Sequence, residues 1–206
     1  MTVTKIEAVP NSKNKYKIYV DEQFAFVLYK GELSRYRLEA GNDIEDMVYS
    51  NIMEQVIFKR AKLRALHLLN AMGRTEKQLR KKLKENDYTE EIIERTLQYV
   101  KSFGYVNDFE YARSFILNRK DKKSRKELYL QLSQKGVSSD VLDEIFEECY
   151  DDSSAREAIS IILQKKKYNP ETATPKDTQK ILSYLTRKGF SYEDVRQLLQ
   201  VSEWNA

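Results

Sequence analysis

The sequence predicts a mainly α fold: an elongated array of three tandem three-helix repeats behind a small antiparallel β-meander. Three observations predict it. The first thirty or so residues are rich in β-branched and aromatic side chains, whereas everything after them is not. From about residue 42 onward, apolar residues recur at helical spacing. Finally, a two-helix unit occurs three times in register. Leu83, Leu132 and Leu185 are each followed five positions later by an apolar turn residue (Tyr88, Val137, Phe190), and then at once by a candidate cap (Thr89, Ser138, Ser191). The copies lie 49 and then 53 residues apart.

Each element follows from its residues. Val3 to Val9, Tyr16 to Val20 and Phe24 to Leu28 read as strands, separated by Pro10-Asn11-Ser12 and Asp21-Glu22-Gln23. Gly31 to Gly41 is a connector with about one helical turn, and Asn42-Asp43 can cap a short helix through Met47 and Val48. Ile52 to Met72 is helical. Thr75 with Gln78 and Ser124 with Glu127 have the spacing of a capping box. Asp108 to Asn118 and Ser153 to Lys166 are the leading helices of the next two copies. Gly136 can take the left-handed conformation that closes a helix. Pro175 suits a first-turn position, and the insertion Tyr168 to Thr174 accounts for the longer second spacing. The expected divisions are an N-terminal extension and connector at 1–41, then repeats at 42–103, 104–150 and 151–206. One such unit cannot bury both faces of its helices, so stacking of neighbours is expected to complete the core.

Composition narrows the function. A third of the residues are charged, mean hydropathy is −0.68, and there are six glycines and three prolines. That suits thin, well-solvated helical modules. The one cysteine, Cys149, permits no internal disulfide, which fits a reducing compartment. No apolar run approaches the roughly 20 residues that span a bilayer, and MTVTKIEAVP is not a signal peptide. A cytoplasmic protein without a membrane partner is expected. Catalysis finds little support. His67, the only histidine, sits in an apolar run and is expected to be a partly buried helix residue. No metal-ligand spacing and no glycine-rich phosphate loop occur, so no cofactor and no enzymatic activity are expected.

The basic residues carry more information. Lys59 to Lys84 holds Lys59, Arg60, Lys62, Arg64, Arg74, Lys77, Arg80, Lys81, Lys82 and Lys84 against the single acid Glu76. Arg119, Lys120, Lys122, Lys123, Arg125 and Lys126 form a second cluster; Lys165, Lys166, Lys167, Arg187 and Lys188 follow. Each cluster leads into, or lies on, the second helix of its repeat. The third helices instead carry acids, such as Glu90, Glu91 and Glu94, or Asp140, Asp143 and Glu144. Stacking would align the basic ridges into a stripe suited to a phosphate backbone or an acidic protein groove. The plainer alternative is a solubilising surface. The 14 tyrosines fall mostly at packing positions, and no row of exposed stacking platforms is evident.

Several of these residues also form a familiar pattern. Gly104-Tyr105-Val106-Asn107-Asp108-Phe109-Glu110-Tyr111-Ala112-Arg113-Ser114-Phe115 resembles the core signature of the RecX family, regulators of the recombinase RecA. Lys126-Glu127-Leu128 through Lys135-Gly136-Val137 resembles a second signature, echoed by Arg187-Lys188-Gly189-Phe190, and Arg74 to Leu79 looks like the start of the first repeat. The resemblance covers about residues 50 to 200, and the β-rich start looks like the N-terminal extension of some members. The chain departs from the pattern at Lys123-Ser124-Arg125, where a glycine is usual, and at Asn86-Asp87-Tyr88, which replaces Lys-Gly-apolar. The resemblance implies a non-enzymatic modulator that binds RecA, lies along the RecA–DNA filament and limits its activity. The resulting expectation is a monomer with weak, sequence-independent affinity for single- or double-stranded DNA. The candidate contacts are Arg74, Arg80, Lys81, Lys82, Lys84, Arg119, Lys122, Lys123, Arg125, Lys126, Lys165, Lys166, Lys167, Arg187 and Lys188. A direct DNA-binding helical module and a scaffold for another partner are the alternatives.

Overall fold

The structure is a computed structural model that describes residues 1–199; the last part of the expected third repeat, 200–206, lies outside the described residues. The chain divides into two compact units, Met1–Val106 and from Asn107 onward. It is mainly helical, with one three-stranded antiparallel sheet in the order β1-β2-β3.

The strands are β1 (Val3–Ala8), β2 (Lys15–Val20) and β3 (Gln23–Tyr29). Asp21 and Glu22 form a two-residue turn with φ of 48° and 67°, the doubly left-handed shape that matches strand twist. β3 carries a bulge: Ile18 faces Phe26, Tyr19 faces Phe24, and Ala25 is the extra residue. Ala25 and Phe26 are consequently both buried, a break in the usual alternation. The buried face packs on Ile52, Met53, Ile57, Ala61 and Ile92, which gives the small sheet the helical support it needs.

The connector folds into more than one turn. Helix α1 (Lys30–Tyr36) begins where Glu32 accepts from the Tyr29 N–H at 2.8 Å, and ends at Arg37 with φ 51°. The short helix expected near Met47 is not separate. Helix α2 (Asp46–Asn51) runs through a π-helical segment, Ile52–Phe58, into α3 (Lys59–Ala71) with right-handed helical backbone at both joints. Its N-cap is Glu45, not Asn42 or Asp43.

Helix α3, α4 (Glu76–Lys84) and α5 (Glu90–Ser102) enclose a core of Ala65, Leu68, Leu79, Leu83, Ile93, Leu97 and Val100. Truncating a leucine as buried as Leu83 costs about 2–5 kcal/mol. Thr75 closes a complete capping box: it accepts from Gln78 N at 3.3 Å, and its own N–H donates to Gln78 Oε1 at 3.2 Å.

In the second unit, α6 (Asp108–Leu117), α7 (Arg125–Lys135) and α8 (Ser139–Cys149) share a core that includes Ile116, Leu132, Phe146 and Cys149. Helices α9 (Asp152–Lys165), α10 (Pro175–Arg187) and α11 (Tyr192–Leu199) share another, built on Ile159, Leu185, Phe190 and Val195. Ser124 caps α7 by accepting from Glu127 N at 3.1 Å, but only this side of the box forms. The Glu127 carboxylate turns instead to Lys123 and to Gln131 Nε2. Thr174 and Ser191 cap α10 and α11, whereas Thr89 and Ser138 hold the cap position without a side-chain cap bond. No helix among the described residues is long and apolar enough to cross a membrane.

Candidate interaction surface

The basic side chains of α4 separate into paired and unpaired sets. Leu79 and Leu83 point into the core, which leaves the remaining faces of this short helix to cations. Arg80 reaches across to α5. Its guanidinium meets Glu94 at 2.7 Å, Glu76 at 3.3 Å, and Glu90 in a close contact. The hydrogen bond that Arg80 donates to Glu94 is the largest cause of a pKa held above the ordinary arginine value. Arg80 is therefore a fastening between helices. Lys82 pairs with Glu85 at 2.7 Å, and Arg74 donates from Nε to the Leu68 carbonyl at 3.3 Å, closing the end of α3. Lys81 and Lys84 are exposed and have no ion pair among the described residues.

The junction before α7 behaves similarly. Arg119 lies 4.1 Å over the Phe115 ring, Lys122 pairs with Asp121 at 3.0 Å, and Lys123 contacts Glu127. Tyr150 donates to the Lys123 carbonyl at 3.1 Å, and burial pushes its phenol up to about 12, so the donor proton is retained. Arg125 sits 5.3 Å over Phe146 with its outer edge exposed, and Lys126 is exposed without an ion pair among the described residues. Ser124 Oγ donates to the Lys188 carbonyl at 2.6 Å, and Lys188 Nζ lies 3.9 Å from Glu127. Lys188, distant in sequence, thus joins Lys123 and Lys126 at the start of α7.

The strongest gathering is in the last three helices. Lys166, Lys167, Lys180 and Arg187 line one cleft of about 560 Å³ with Asp177. The Asp177 carboxyl lies below the usual carboxylate range, chiefly through a hydrogen bond from Thr174, so it stays ionised and partly offsets Lys180, 3.6 Å away. Lys166 stands 4.4 Å over the Tyr184 ring, and Arg187 Nε donates to the Ser183 carbonyl at 3.2 Å. Lys165 is exposed at the rim of α9. The irregular 168–174 insertion forms one wall, tied down by Ala173 N to the Asn169 carbonyl at 2.9 Å.

Two features depart from the reading of the sequence. His67 is exposed, not partly buried, because Ala61, Ala65 and Leu68 occupy the core side of α3. Not all aromatics serve packing either. Phe103 and Tyr105 are 59% and 55% exposed and stack at 5.8 Å with 17° between their planes, and Tyr99 abuts Phe103 at 5.0 Å. The i, i+4 spacing of Tyr99 and Phe103, followed by Tyr105, is the signal that could have exposed this row. Among the described residues no group of histidine, cysteine and acids is placed to hold a metal ion.

Comparison with known proteins covers nearly the whole chain. Residues 1–45 match the family model described as the regulatory protein RecX N-terminal domain. Residues 61–99 match the first RecX three-helix domain, and 155–199 the third. A regulatory protein RecX from Clostridium acetobutylicum is 29% identical over 203 residues, spanning 97% of this chain and 95% of that one. One from Caldanaerobacter subterraneus subsp. tengcongensis is 30% identical, spanning 98% of this chain and all of its own. A crystal structure of regulatory protein RecX superimposes with a TM-score of 0.60 at 26% identity, covering 98% of this chain and 99% of that one.

Proposed function

The chain belongs to the RecX family, and from that premise we propose that it is a non-enzymatic regulator that binds RecA and the RecA–DNA filament and limits recombinase activity in recombination and repair. The observation that carries this reading is the basic cleft of Lys166, Lys167 and Arg187. It gathers several cations in one cleft, supported by unpaired lysines at 81, 84 and 126. An acidic protein groove and a nucleic-acid backbone both present what such a surface attracts. The contact to nucleic acid is weak and indifferent to sequence, because the acid-bearing third helices are poor groove readers. The protein acts as a monomer in the cytoplasm.

A RecA strand-exchange assay and a DNA-dependent ATP-hydrolysis assay test the proposal directly. Added protein lowers both, and Lys166→Glu combined with Lys167→Glu and Arg187→Glu relieves the effect. No response at stoichiometric amounts in low salt would sink it. A second reading, direct binding to single strands without RecA, draws on the exposed stacked pair Phe103 and Tyr105. Fluorescence anisotropy with labelled oligonucleotides separates the two. Tight binding that Phe103→Ala abolishes favours the second, and weak binding indifferent to that change favours the first.

A further inference from the structure

The first unit contains a cationic pocket that the filament-binding reading does not use. Arg60, Arg64 and His67 recur at i, i+4 and i+7, so they share one face of α3. Together with Lys15 of β2 and Thr89 at the start of α5, they line a cavity of about 480 Å³ between the sheet, α3 and the α4–α5 turn.

The two arginines differ sharply in what holds them. Arg60 is fully engaged. Its guanidinium forms a two-pronged pair with Glu32 at 2.5 and 2.7 Å, donates to the Val27 carbonyl at 3.0 Å, and lies 4.7 Å over the Tyr29 ring. Arg64 has no such partner. Its Nε is buried and unbonded, and the guanidinium has no ion pair or hydrogen bond among the described residues. Beside it, Thr89 Oγ1 is likewise buried without a hydrogen-bond partner. A buried donor left unmade is destabilising, the more so on a charged group, and folds avoid it unless something else supplies the acceptor.

The acids do not meet that need. Asp87, the one carboxylate lining the cavity, is taken by Lys17 at 2.7 Å, and Glu32 by Arg60. The surplus is therefore positive. Burial raises the phenol of Tyr88 on the same wall, and the charges of Arg60 and Arg64 only partly oppose that rise.

We propose that this pocket is a binding site for a phosphoryl group, with Arg64 as the primary ligand and Lys15, His67 and Thr89 Oγ1 completing the cradle. A guanidinium fork matches two phosphoryl oxygens, and a hydroxyl donates to a third. The proposal stands apart from recombinase binding and survives if that reading fails. The phosphoryl group comes either from a free nucleotide or from a nucleic-acid backbone.

The test uses the full chain and three probes at matched ionic strength: inorganic phosphate, a 5′-mononucleotide and a short single-stranded oligonucleotide. Phosphate, but not chloride, shifts the Arg64 Nε–H signal in ¹⁵N–¹H NMR spectra of the unaltered protein. Arg64→Gln, whose fold is checked by circular dichroism, weakens the best-bound probe about tenfold or more. A mononucleotide that binds at least tenfold tighter than phosphate identifies the free-nucleotide source. An oligonucleotide that displaces phosphate and loses affinity in Arg64→Gln identifies the backbone. An Arg64 signal unmoved by every probe overturns the proposal, with or without a folded variant.

Discussion

Asp87 and Gly189 hold the same place in two turns of one design, between the second and third helices of their groups, with φ of 59° and 90°. Each follows a helix with a buried leucine in its last turn (Leu83, Leu185) and precedes the aromatic residue (Tyr88, Phe190) that seats the next helix. The neighbourhoods differ. A side chain at Gly189 would place its Cβ 2.9 Å from both Ser124 Oγ and Lys126 Cβ, so glycine is required by space as well as by backbone. At Asp87 the side chain reaches outward to Lys17 Nζ, 2.7 Å away on β2. Gly136, with φ 97°, is the third member of the set. The left-handed turn is thus a constant of the repeat, whereas the residue that makes it is not, and at Gly189 the closeness of Ser124 and Lys126 adds a second demand for glycine. This accounts for the Asn-Asp-Tyr departure in the first copy: Asp tolerates the left-handed region and here gains a cross-element partner.

The comparison can be broken by substitution. Gly189→Ala combines left-handed strain with overpacking and should destabilise by about 2–4 kcal/mol. Gly136→Ala should cost at least the backbone term, about 1–2 kcal/mol. Guanidinium unfolding of the two variants measures the difference, and equal midpoints would remove the neighbour's role. Asp87→Gly relaxes the backbone but loses the pair, so the net change should stay within about 1 kcal/mol. Lys17→Met should cost about 0.5 kcal/mol, since both partners are partly exposed and screened.

That smallest effect carries a pH signature. The hydrogen bond to Asp87 is the largest cause raising the Lys17 pKa above its ordinary value. A raised folded pKa means the stabilisation is fully present below the unfolded lysine value and is lost as pH rises through the folded one. The gap between the unaltered protein and Lys17→Met should persist at neutral pH and close at alkaline pH, as urea unfolding at both would report.

Much of this fold was legible because it is written in local spacing. Leu83, Leu132 and Leu185 with their following turn residues need only the helical period to be read, and Thr75 with Gln78 forms the box its spacing promised. The π-helical segment was not legible: Ile52, Met53, Val56 and Ile57 satisfy an α pattern as well as a π one, and packing against the bulged sheet decides. The candidate site was legible in composition but not in pairing. Arg80 finds Glu90 and Glu94 through the approach of α4 and α5, which no sequence window measures. Arg60 and Arg64 appear in the same basic run, four residues apart, and only the position of Glu32 makes one a strut and leaves the other unmatched.

The Arg80 fastening changes what charge counting means for this chain. A cation already neutralised by its own carboxylates has little charge left to neutralise a phosphate, so it displaces none of the counterions condensed on an arriving polyanion. Arg80 and Lys123 should therefore add nothing to the slope of log affinity against log salt, whereas Lys81, Lys84, Lys126, Lys165 and Lys167 each should. The slope thus counts the phosphates that the unpaired cations neutralise, a smaller number than the lysines and arginines the sequence displays.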